Sequence, residues 1–117
     1  MIRKKVIVPH RVRMVSGSFA FIPHRFLSDG FLRSLRAAEL LLYYFLVLAS
    51  DKDGVSYYGS SKICSLLKMG FEQYEDARDR LVARGLVAYD DTFFQVLELP
   101  DKPIKDLPEK TGGCHAR

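Results

Sequence analysis

The stretch from Leu66 to Val87, which reads LLKMGFEQYEDARDRLVARGLV, constrains this chain more than any other. Leu66 and Leu67 close a short amphipathic segment, and Met69-Gly70 turns the chain. Tyr74, Ala77 and Leu81 then recur at spacings of three and four, which predicts a helix over Phe71 to Arg84 with those residues facing inward. Gly85 stands where a helix stops in a left-handed residue, and Leu86 opens an extended segment. Two helices must therefore meet at a tight turn and lead directly into a strand. Cys64 and Ala77 are small residues at the positions where those helices cross, and small side chains let helix axes approach closely.

The flanking sequence supplies the rest of one core. Ser34 reads as the cap of a helix over Leu35 to Ser50, whose apolar surface runs almost all the way round from Leu40 to Leu48. Asp51-Lys52-Asp53-Gly54 is a turn, and Val55 to Tyr58 a short strand. Gly59-Ser60-Ser61 breaks the chain and caps a helix over Lys62 to Lys68, with Ile63, Cys64, Leu66 and Leu67 apolar. Leu86 to Leu99 predicts a hairpin, with strands Leu86–Tyr89 and Phe93–Leu99 around Asp90-Asp91-Thr92. Upstream, Phe19 to Ile22 reads as an edge strand or extended segment ended by Pro23, and His24 to Asp29 as one helical turn closed by Gly30. The expectation is a mainly α chain with a small β-hairpin, an α+β domain over 19–99. It is preceded by a basic flexible arm (1–18) and followed by a disordered tail (100–117) rich in Pro and Gly. A chain of 117 residues with 48% apolar content suits one such core.

The order helix, short strand, helix, turn, helix, two-stranded hairpin resembles the winged helix-turn-helix domains, with the helix-turn-helix at roughly 60–85 and a three-helix core. The residues that carry the resemblance are the paired leucines Leu66-Leu67, the turn, and the close Leu81-Val82-Ala83-Arg84-Gly85-Leu86-Val87. The segment Asp51 to Tyr58 is similar to aspartate-glycine and tyrosine segments between the first two helices of plasmid and phage replication organisers. Lys68 occupies a turn position that is often glycine in the family, and a non-glycine residue in the left-handed conformation costs about 1 kcal/mol.

The resemblance implies binding of double-stranded DNA, as in a transcriptional regulator or replication accessory of a bacterium, phage or mobile element. In that arrangement the third helix enters the major groove and its exposed first turn reads bases. Gln73 is then the candidate partner of an adenine, Phe71 lies near bases, and Ser61 and Lys62 meet phosphates, as do Arg80 and Arg84 near the helix end. The outward set predicted for this helix is Glu72, Gln73, Glu75, Asp76, Asp79, Arg80 and Ala83, and four of these seven are acids. Asp90 and Asp91 likewise occupy the hairpin tip, where the family often carries Arg or Lys. Such a face repels a polyanion. Compensation would come from the arm. Residues 1–13 hold Arg3, Lys4, Lys5, Arg11 and Arg13 and no acid, whereas residues 14–99 hold nine Lys/Arg against eleven Asp/Glu. The alternative is a protein-interaction adaptor whose acidic third helix binds a basic partner. Tyr43, Tyr44 and Phe45 cannot all face one small core, so Tyr43 and Tyr44 are candidates for a homodimer interface.

Nothing in the sequence points to an enzyme. His10, His24 and His115 are scattered, and no Cys or His pair has metal-ligand spacing. There is no glycine-rich phosphate loop, and capping accounts for Ser60 and Ser61. No catalytic residue, metal or cofactor is therefore expected. The two cysteines, Cys64 and Cys114, do not make a disulfide framework, which suits a reducing cytoplasm. No signal peptide is visible, and the apolar run Leu40–Ala49 is too short for a membrane span, which needs about 20 residues.

Overall fold

The computed structural model describes residues 4–15, 17–105 and 107. Among these the chain is mainly helical with a small three-stranded antiparallel sheet, an α+β arrangement. A single 3-10 turn, Pro9–Arg11, interrupts the extended N-terminal arm. Two short helices follow, α1 (Arg25–Ser28) and α2 (Phe31–Ser34), then the long α3 (Ala37–Ala49) and β1 (Val55–Ser56). Next come α4 (Ser60–Leu67), α5 (Phe71–Ala83), β2 (Val87–Tyr89) and β3 (Phe94–Val96). In the sheet β3 lies between β1 and β2, with Ser56 opposite Phe94 and Ala88 opposite Gln95.

Several boundaries differ from expectation for identifiable reasons. Ser34 does not cap the long helix. Its hydroxyl donates back to the Phe31 carbonyl and closes α2, so α3 starts at Ala37 after Arg36 in extended conformation. Gly59, not a serine, is the capping residue of α4, and no side chain caps that helix. The strands are shorter than the apolar runs containing them, and Phe19–Ile22 forms no strand. Residues 100–105 are not a loose tail. Arg25, on α1, donates to the carbonyls of Leu99, Pro100 and Asp101 at 3.3, 2.7 and 3.2 Å, which fastens the chain leaving β3 against the body. The rest of the expected tail, apart from Leu107, lies outside the described residues.

The core is one cluster. α3 contributes Leu42, Tyr43, Leu46 and Val47; α4 contributes Ile63; α5 contributes Tyr74, Ala77 and Leu81; the hairpin contributes Val87 and Phe94. Phe26 and Phe31 from the two short helices complete it. Phe26 stacks on Tyr43 with ring centroids 5.0 Å apart and planes 5° from parallel. Burial pushes the Tyr43 hydroxyl above its ordinary pKa.

The connections are held by local backbone chemistry. Lys68 ends α4 in the left-handed conformation, φ 58° and ψ 47°, and the Met69 amide donates to the Cys64 carbonyl, as in a Schellman close. Gly85 does the same for α5 at φ 74°, with the Leu86 amide on the Leu81 carbonyl. In the turn after α3, Asp51 accepts hydrogen bonds from the Val55 and Asp53 amides. Gly54 lies so close to β3 that a Cβ would stand 2.7 Å from the Val96 carbonyl oxygen. At the hairpin tip, Asp90 accepts from the Phe93 and Thr92 amides.

Two predictions follow from these turns. Replacing Lys68 by glycine removes the left-handed penalty and should stabilise the fold by about 0.5–1 kcal/mol, read as a higher urea midpoint at unchanged slope. The amides at Val55 and Asp53 hold the Asp51 carboxyl below its ordinary 3.8, and those at Phe93 and Thr92 do so for Asp90. A carboxylate whose folded pKa is lowered contributes fully above its unfolded value and loses that contribution as pH falls through the folded one. The wild type should therefore lose stability more steeply below pH 3.8 than the Asp51→Asn/Asp90→Asn variant, measured by thermal unfolding across an acid series.

Candidate nucleic-acid interface

α4, the Lys68–Gly70 turn and α5 form the candidate interface. α5 buries Tyr74, Ala77 and Leu81 as the spacing requires, and turns Glu72, Gln73, Asp79 and Ala83 outward, with Glu75 and Asp76 half-buried. At its first turn Phe71 is 53% exposed, its ring tilted against Tyr74 at 6.0 Å. Gln73 beside it is open to solvent. Ser61 and Lys62, in the first turn of α4, are exposed, as is Lys68 at the turn. Together these put a glutamine amide, an aromatic ring and two ammonium groups around the junction of the two helices.

Arg80 and Arg84 must be taken out of this set. The outward placement of Arg80 and the phosphate role of both residues assume exposed guanidinium groups. Arg80 is 6% exposed and Arg84 3%. Both reach across to Glu39 of α3, which is 1% exposed. Arg80 Nε donates to Glu39 Oε2 and Arg84 Nε to Glu39 Oε1, each at 2.8 Å. A second nitrogen of Arg84 donates to the Ile104 carbonyl. Being four residues apart, the two arginines stand on one face of α5, and each takes one oxygen of a single carboxylate. Glu39 is the only charged residue within α3, and its place in the apolar pattern opposite an arginine pair is the signal that could have found it.

Arg78, whose direction the spacing leaves open, lies flat over aromatic rings. Its guanidinium carbon is 5.5 Å from the Tyr74 ring centre and 4.9 Å from that of Tyr89, and it pairs with Asp79 at 3.1 Å. It thereby ties α5 to β2, consistent with cation–π attraction to the ring faces. With three arginines of α5 so engaged, the outward surface of the helix is dominated by Glu72, Glu75, Asp76 and Asp79.

The other expected site residues fall elsewhere. Lys4, Lys5, Arg11 and Arg13 are exposed along the arm, Arg11 within the 3-10 turn, and Arg3 lies outside the described residues. Tyr43 is 1% exposed and belongs to the core, which removes it from any dimer interface, whereas Tyr44 is 41% exposed. Phe19 and Phe21 flank an open groove of about 760 Å³ that Tyr43, Val47 and Leu99 help to line, away from the outward face of α5. Among the described residues no cluster of His, Cys, Asp and Glu could hold a metal ion. Nor is any helix there long and apolar enough to cross a membrane.

The arginine pair generates a prediction about stability. Glu39→Gln leaves two buried guanidinium groups without their anion and should destabilise the fold by about 3–5 kcal/mol. The concerted change Glu39→Leu/Arg80→Met/Arg84→Met removes every charge together and should be neutral or stabilising, by up to about 4 kcal/mol. Urea unfolding of the two variants beside wild type separates these outcomes.

No protein-family model, no curated protein and no solved structure gives a significant match to this chain.

Proposed function

We propose that the chain is a winged helix-turn-helix protein that binds double-stranded DNA. The observation that carries this reading is the chain order α3–β1–α4–α5–β2–β3 with β3 central in the sheet, which leaves the first turn of α5 at the surface. In such an arrangement α5 is the element that meets the major groove, and the β2–β3 hairpin is the wing. Gln73 is the base reader, with Phe71 beside it. Ser61, Lys62 and Lys68 meet the flanking phosphates, and Lys4, Lys5, Arg11 and Arg13 supply most of the attraction. Phosphate contacts position a protein without specifying sequence, so affinity and selectivity are divided between the arm and one helix turn. A role as regulator or replication accessory in the cytoplasm fits this division.

A second reading has its own supporting observation. With Arg80 and Arg84 engaged by Glu39, the exposed part of α5 is acidic, a surface suited to a basic protein partner. The two readings separate in one assay. Binding of a fluorescent duplex, followed by anisotropy across a salt series, should show a steep decline in affinity with salt. Changing Lys4, Lys5, Arg11 and Arg13 to serine should flatten that slope by about 3, since each phosphate-neutralising cation contributes about 0.9. Gln73→Ala should leave the slope unchanged and relax selectivity at one base pair by about 1–3 kcal/mol. Absence of binding at low salt would overturn the DNA reading and leave the basic partner.

A further inference from the structure

One face of α3 is apolar and faces away from the core. Ala37, Leu41, Tyr44 and Leu48 follow one another at spacings of four, three and four, and all are exposed, Leu48 by 75%, Leu41 by 47% and Tyr44 by 41%. Alternating three and four is the repeat by which one helix packs its seam against another. Tyr58, 39% exposed and edge-on to Phe45 at 5.1 Å, extends the patch along one side. The only charged residue between 37 and 49 is Glu39, which is buried, so this face carries none of the Lys, Glu or Arg that cover the outside of an ordinary surface helix.

The charges at the two ends of α3 identify what covers it. Exposed Arg33 and Arg36 precede the helix, and exposed Asp51 and Asp53 follow it. Each sign is opposite to what the helix dipole favours at that end. A second α3 running the other way reverses this, because it brings a basic end beside an acidic end twice over. The same pairing sets the two dipoles head to tail.

We infer that two copies of this chain associate through α3 in antiparallel orientation about a two-fold axis passing between Leu41 and Tyr44. Leu41 packs on the partner's Tyr44, and Ala37 on the partner's Leu48. Such an interface is self-complementary, each residue meeting its counterpart's neighbour on the other copy. The association does not depend on DNA binding, since α5 and the arm take no part in it.

Sedimentation equilibrium of the full chain over a wide concentration range tests this. The expected result is a reversible monomer–dimer equilibrium that Leu41→Glu/Leu48→Glu weakens at least tenfold, with the circular dichroism spectrum unchanged because both side chains are exposed. A wild-type chain that stays monomeric into the millimolar range, or a glutamate variant that still dimerises as well, would refute it. Orientation is read by cysteine cross-linking in a Cys64→Ala/Cys114→Ser background. Residues 37 and 48 lie about 16 Å apart along one helix, so they cannot bridge within a chain, and a disulfide needs Cα atoms within about 7 Å. Ala37→Cys/Leu48→Cys should give a disulfide-linked dimer under mild oxidation, and Ala37→Cys alone should not. Cross-linking by the single cysteine would mean a parallel pair and overturn the proposed geometry.

Discussion

Glu39 held between Arg80 and Arg84 is the contact on which the rest of this structure turns. It joins α3 and α5, the two longest helices, through two charge-assisted hydrogen bonds shut away from water. A buried carboxylate with one guanidinium on each oxygen has little freedom, so the pair of helices has one register and one rotation. That rotation decides which side of α5 looks outward. It places Tyr74, Ala77 and Leu81 on the core and leaves the acids at the surface. A buried ion pair gives little net stability relative to an apolar contact of equal volume, but it penalises every arrangement in which the three charges do not meet.

The same contact explains why the surface of α5 misleads. Counted by sequence, α5 and its end carry Arg78, Arg80 and Arg84 against four acids, nearly balanced. In space, two of those cations neutralise Glu39 and the third lies over Tyr74 and Tyr89, so the outward charge is far more negative than composition suggests. The positive charge that a nucleic acid requires is displaced to the arm and to the α4 side of the turn. An interface divided in this way relies on a segment that adapts to its partner and on a helix that supplies shape and a single polar reader.

How far the structure was legible in the sequence varied with the range of the interaction. Local patterns were reliable: the three-and-four spacing of Tyr74, Ala77 and Leu81, the stop at Gly85, the turn at Asp51–Gly54, and the left-handed Lys68 all depend on neighbours in the chain. The short helix at Phe31–Ser34 was missed because the Ser34 hydroxyl serves the preceding turn as readily as the following one. Arg80 was placed outward because helical spacing alone cannot see a carboxylate 41 residues away. The ordering of residues 100–105 was hidden for the same reason, since it depends on guanidinium groups from α1 and α5 seeking backbone carbonyls. Tyr43 and Tyr44 were correctly separated from a single core face in principle, but only the rotation of α3 says which of them is inside.

The hydrogen bond from Arg84 to the Ile104 carbonyl has a mechanical consequence. One guanidinium grips both the helix-pairing carboxylate and the strip of backbone leaving the sheet, so a pull on that strip acts on the joint between α3 and α5 instead of dissipating along a slack linker. Whatever load or partner engages the chain beyond residue 104 is thus geared to the rotation of α5, and the strip works as a lever whose fulcrum is Arg84.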